Sequence, residues 1–114
     1  MDNKITLQDL KDKVQKFCEA RDWDRRHKAK DLAIGIITEA SELLEHFRFR
    51  NELEIETFFS DETKRTEICE ELCDVLFPLL RFAQIYKIDL STELSKKMKK
   101  NELKYPALRR KSSR

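Results

Sequence analysis

Two pairs of acidic residues are spaced to do chemistry: Glu39 with Glu42, and Glu71 with Asp74. On a helix an i, i+3 spacing puts both carboxylates on one side, one turn apart. Each pair sits among apolar residues, Ile36, Ile37, Ala40, Leu43 and Leu44 around the first and Leu72, Val75 and Leu76 around the second. Two amphipathic helices packed antiparallel would bring the pairs together. Four carboxylates in one place repel, and partial burial raises the cost. A hard divalent cation removes both problems, and Mg²⁺ takes oxygen ligands while keeping positions open for water and phosphate. Mn²⁺ is the alternative. Glu67 and Glu70 lie on or beside the same face and could assist. Surface ion pairing is the plain account of any one such pair; two pairs on two helices that must pack in a short chain favour the metal. A di-iron bundle needs Glu-x-x-His on two helices. No acid of the four is followed by such a His, so the donor set is all oxygen, which suits Mg²⁺ or Mn²⁺ better than iron or zinc.

The elements that must hold these carboxylates are helices. The chain has 114 residues, one Gly and two Pro, and 40% of it is charged. A chain so poor in breakers cannot punctuate a β-sandwich or barrel, and its Glu, Lys, Leu and Arg favour helix. Four helical segments are expected. The first starts at Thr6, with Asp9 completing a capping-box pattern, and runs to about Arg21 on Leu7, Leu10, Val14 and Phe17. The second spans about Ala29 to Phe47 and contains Gly35, an interior glycine that costs ~1 kcal/mol relative to Ala and so calls for a packing reason such as a close backbone. The third reaches from Asp61 or Thr63 to about Tyr86; its second half is apolar nearly all round and carries Pro78, which should kink it. The fourth runs from about Thr92 to Leu103 and stops at Tyr105-Pro106. Residues 22–28 read as a loop or frayed helix end, and 48–62 as a loop with a short helix near Leu53 to Phe58. Residues 1–106 form a single domain, and 107–114 a basic, poorly ordered tail.

The net charge of +2 argues against a general nucleic-acid coat protein, but acids crowd residues 39–74 and bases residues 96–114. Three Cys without a CxxC make no disulfide framework. With no apolar leader after Met1 and no run of ~20 apolar residues, a cytoplasmic protein is expected. Cys18, Cys69 and Cys73 read as buried small hydrophobes, and His46, four residues after Glu42, as its partner in a surface ion pair.

The run RDWDRRHKAKDLAIGIITEASELLEHFRF, then EELCDVL, then KKMKKNELKYP, resembles the MazG-like family of all-α nucleoside triphosphate pyrophosphohydrolases, with the dCTP pyrophosphatase branch nearest. The resemblance spans about residues 19–106. It implies an oligomeric, MazG-like four-helix bundle, a dimer or tetramer with active sites helped by neighbouring subunits. It implies Mg²⁺-dependent hydrolysis of a (d)NTP, dCTP or a modified dNTP included, to monophosphate and pyrophosphate, a task of nucleotide pool sanitation. Glu39, Glu42, Glu71 and Asp74 would be the metal-binding and catalytic carboxylates. Lys30, Lys97 and Lys104, with His27 and Tyr105, match groups that bind the triphosphate. Trp23 and Phe49 match aromatics that enclose the base, and Asn101 matches an Asn that contacts the nucleoside. Three positions depart from the family pattern: Asp31 replaces the usual Asn, Pro78 a Tyr, and Phe49 a frequent Trp. They bear on base preference, not on metal chemistry. The rival account is a non-catalytic helical module that kept the fold. The basic tail alone supports nucleic-acid binding, and a solvated terminus explains it better.

Overall fold

The computed structural model describes residues 1–23 and 27–108. Every regular element among them is a helix. Helix α1 is Leu7–Glu19, α2 Ala29–Glu45, α3 Glu52–Phe58, α4 Glu62–Ile85 and α5 Leu90–Lys104. The expected short helix is real, which makes five helices rather than four. Of the expected loop, residues 24–26 lie outside the described residues, as do 109–114 of the basic tail.

Local chemistry sets most of the helix starts. At α1 the Thr6 hydroxyl accepts the Asp9 N–H at 3.0 Å while the Asp9 carboxylate accepts the Thr6 N–H at 2.9 Å, the reciprocal capping box. Asn51 and Glu54 repeat the pattern at α3. Asp61 caps α4 and Asp89 caps α5. Helix α2 begins at Lys28, which supplies no side-chain cap. Its first amide, from Ala29, instead donates to the Tyr86 hydroxyl at the end of α4, 2.8 Å away, so tertiary packing supplies what the local sequence lacks.

Helix α4 is the axis of the molecule. Helix α2 lies along it, α1 packs against it and α3 touches it, whereas α5 has only marginal contacts with the rest. The Ala29–Tyr86 bond at one end and a His46–Glu71 approach at the other make α2 and α4 antiparallel. Val14, Cys18 and Leu80 are buried, with Leu10, Trp23, Phe77 and Leu90 packed on them; Leu32, Ile68 and Ala83 are buried as well. Within one chain, α1, α2 and α4 supply these buried side chains, and α5 adds only Leu90 at their edge. The Lys11 ammonium is buried and donates to the Ile88 carbonyl at 2.8 Å, tying α1 to the α4–α5 turn. That turn ends α4 with Lys87 at φ 54°, the Ile88 N–H returning to the Ala83 carbonyl at 2.8 Å, a Schellman-type closure usually given to glycine.

Two expectations need correcting. Cys69 and Cys73 are exposed, because they sit on the side of α4 turned from the core; only Cys18 is buried. Gly35 is not held against a backbone: the nearest group to a Cβ built there is the Pro78 side chain, 3.9 Å away. The chain is elongated. The radius of gyration is 18.1 Å, with extents of 60 × 36 × 30 Å, against ~13 Å for a compact chain of about 100 residues. The extension leaves apolar side chains in the open: Ile37 on α2 is 71% exposed, Leu72 on α4 52% and Leu94 on α5 61%.

Candidate active site

The antiparallel α2–α4 pair brings the acids together. Glu39, Glu42 and Glu71 each offer an oxygen, and these oxygens lie within 4.8 Å of one another. Asp74, one turn beyond Glu71, is exposed and stands outside this tight group, but its charge is felt at Glu39. The Glu39 carboxyl holds its proton above the usual carboxylate range. The first cause is its hydrogen bond with Glu42, then burial, then the charges of Glu42, Asp74 and Glu71. Like charges that share a proton show unmet demand for positive charge. Glu71 Oε2 is buried without a hydrogen-bond partner, and buried polar atoms rarely lack one. An all-oxygen donor set, mutual repulsion and an orphaned buried carboxylate oxygen fit a hard divalent cation.

Beside the carboxylates lies a cavity of about 420 Å³, lined by Phe17, Trp23, Leu32, Gly35, Phe77 and Pro78, with His27, Asp31, Glu39 and Asp74 as its polar members. The chain turns at Asp22, at φ 53°, and the Trp23 N–H returns to the Cys18 carbonyl at 3.0 Å. This aims the indole at Phe17, ring centres 5.6 Å apart and edge-on, and Phe17 meets Phe77 in the same way at 5.7 Å. His27 stands 5.6 Å from Trp23. Its Nδ1 accepts from Nε of Arg81 at 3.1 Å, and Arg81 also donates to Gln84 at 2.6 Å. Arg81 is only 1% exposed, so the wall behind His27 is built from a buried guanidinium.

Of the residues singled out from the sequence, Glu39, Glu42, Glu71, Asp74, Trp23 and His27 meet here. The others do not. Lys30 is exposed on the first turn of α2 and lines no part of the cavity. Phe49 follows α2, is 91% exposed and sits at φ 64° with the Arg48 guanidinium 4.6 Å over its ring; it does not close over Trp23. Lys97, Asn101 and Lys104 are on α5 and Tyr105 at its end, on the helix least attached to the core. His46 departs from the expected pairing: its ring turns from Glu42 to Glu71 of α4, because it sits at the end of α2, over the first half of α4. Spacing alone does not single out Phe17, Phe77 and Arg81. Phe17 and Phe77 carried a core pattern, and a core-facing aromatic and a cavity-facing one have the same spacing.

The family description "MazG nucleotide pyrophosphohydrolase domain" matches residues 27–108. The dCTP pyrophosphatase 1 of Homo sapiens is 34% identical over 110 residues, which is 96% of this chain and 65% of that protein. The protein of the same name from Rattus norvegicus is 31% identical over 101 residues, 89% of this chain and 59% of its own length. The chain thus spans roughly three-fifths to two-thirds of the curated relatives it matches. Among solved structures, a pyrophosphatase from Archaeoglobus fulgidus superposes with a TM-score of 0.81 at 35% identity, covering 89% of this chain and 93% of that one. With residues 27–108 matched, and with the acid cluster of α2 and α4 inside that range, the chain belongs to the MazG nucleotide pyrophosphohydrolase family.

Proposed function

We propose that this protein is a metal-dependent nucleoside triphosphate pyrophosphohydrolase that converts a (d)NTP to the monophosphate and pyrophosphate. The observation that carries this is the acid cluster itself: Glu39, Glu42 and Glu71 with oxygens within 4.8 Å of one another, Glu71 Oε2 buried without a partner, and an aromatic cavity at its edge. Glu39, Glu42, Glu71 and Asp74 would hold Mg²⁺ or Mn²⁺. Bound there, the cation would neutralise phosphate oxygens and acidify a bound water. Glu39 belongs to both the cluster and the cavity, and in this reading it would accept the proton of the attacking water. Trp23, Phe17 and Phe77 offer ring faces and edges to a base, and His27, backed by Arg81, offers the polar contact at the rim. The names of the human and rat relatives point to dCTP. Here the cavity is largely apolar, with Pro78 and Asp31 in its lining, which supports selection by shape and stacking over a strict dCTP preference.

A second copy of the chain completes this account. Helix α5 carries Lys97, Asn101 and Lys104 but lies apart from its own chain's cavity, and it exposes Leu94, Met98 and Leu103. Apolar side chains exposed together favour an interface. A dimer or tetramer would cover these and the open faces of α2 and α4, and would bring the bases of α5, with Phe49, to a neighbour's site. Pyrophosphate release from a panel of dNTPs, with and without Mg²⁺, tests the function. Metal-dependent release that Glu71→Gln abolishes while leaving the helical circular dichroism intact is the expected result. Binding of metal and nucleotide without any release would overturn it in favour of a non-catalytic module on the same fold.

A further inference from the structure

Granting the metal site proposed above, we propose that His46 is a positioning residue for it: clamped by Lys64, its imidazole holds Glu71 in the orientation that binds the cation. His46 ends α2, and its side chain is 13% exposed. Its Nδ1 lies 2.9 Å from the Lys64 ammonium. An ammonium can only donate, so Nδ1 is the acceptor and the ring proton of the neutral imidazole is on Nε2. That Nε2 faces Glu71 Oε1 at 3.7 Å, longer than a hydrogen bond but close enough to attract the carboxylate. The two oxygens of Glu71 are thereby distinguished: Oε1 faces a fixed donor, and Oε2 is the buried oxygen without a partner.

Lys64 is itself held. It is half-buried in the first turn of α4, with its ammonium 4.9 Å over the Phe58 ring, a cation–π contact. Short helix α3, which touches only α4 to any extent, thereby gains a purpose: Phe58 steadies Lys64, Lys64 fixes the tautomer of His46, and His46 orients Glu71. Losing a group that orients a metal ligand from behind typically costs ~10–100-fold in metal affinity.

The test is Mn²⁺ uptake by the metal-free protein without nucleotide, read from the electron paramagnetic resonance of the free ion, with steady-state pyrophosphate release alongside. His46→Ala is expected to weaken Mn²⁺ binding by ~10–100-fold and to raise the metal concentration needed for half-maximal activity in parallel. The KM for nucleotide at saturating metal should stay unchanged. His46→Gln, which keeps a nitrogen donor near the Nε2 position, should recover most of the affinity, and Lys64→Met should lose part of it. A folded His46→Ala with wild-type Mn²⁺ affinity, or a His46→Gln no better than His46→Ala, overturns the proposal. If His46→Ala does not fold, Lys64→Met decides, and wild-type affinity there overturns it equally. Failure of the metal site itself looks different: the wild-type protein would take up no Mn²⁺, or Glu71→Gln would take it up undiminished, and the role of His46 would fall with it.

Discussion

Replacing Gly35 by Ala should stabilise the protein and impair it at the same time. Gly35 lies inside α2 at a negative φ, so alanine meets no backbone strain. A Cβ placed there would be 3.9 Å from that of Pro78, an ordinary van der Waals contact. The intrinsic preference of a helix interior for Ala over Gly is ~0.8–1.0 kcal/mol, and nothing in the packing opposes it. With an unfolding entropy of ~2.1 cal/mol/K per residue, a chain of 114 residues gains about 4 °C in Tm. Scanning calorimetry of the metal-free protein reads this directly. The same methyl enters the floor of the cavity between α2 and α4. A methyl-sized misfit in an apolar pocket is worth ~1–3 kcal/mol, and a cavity open on one side places the effect at the lower end, roughly a tenfold rise in KM. A lower Tm would refute the packing argument, since it would mean that a group stands closer to Gly35 than Pro78 does. A higher Tm with an unchanged KM would refute the assignment of this cavity to the nucleotide.

Other outcomes follow from the same geometry. In the folded protein the affinity of Glu39 for a proton is raised above its ordinary value of 4.5, so between that value and the raised one the native state binds more protons than the unfolded state. The stability of the metal-free protein should therefore fall as pH rises through this window. Glu39→Gln should flatten the slope in a pH series of melting curves. The capping residues Asp9 and Asp89, lowered from 3.8 by hydrogen bonds to Thr6 and Thr92 respectively, act in the opposite sense, their contribution being lost as pH falls below that range. Leu80→Ala, at a position 3% exposed in the shared core, should cost ~2–5 kcal/mol in urea unfolding. Lys87→Gly should raise stability by roughly 1 kcal/mol in the same assay, because glycine takes the φ of 54° there without the side-chain penalty.

Much was legible before any fold was known, where the cause is local. The capping box at Thr6 and Asp9, the ends of α4 and α5 to within a few residues, and the pairing of carboxylates on two helix faces all depend on neighbours three or four positions away. The start of α2 shows the limit of such reasoning. Lys28 offers no cap, and the Tyr86 hydroxyl that accepts the Ala29 N–H instead is 57 residues from Ala29 in the chain. His46 shows the limit again, since its spacing pointed to Glu42 whereas its ring faces Glu71. On a helix a side chain has neighbours above and below, and only the packed partner decides which is preferred.

The sequence by itself determined the helical class and put two pairs of acids on two helix faces, because residue type and period suffice for these. Only the tertiary structure decided that three of those acids converge, that Phe17 and Phe77 join Trp23 in one cavity, and that Phe49 and α5 stand away from it. Convergence depends on the rotation and offset of α2 against α4, quantities that a repeating pattern of about 3.6 residues leaves open. The Ala29–Tyr86 hydrogen bond at one end of the pair and the Lys64–His46 contact at the other tie them down.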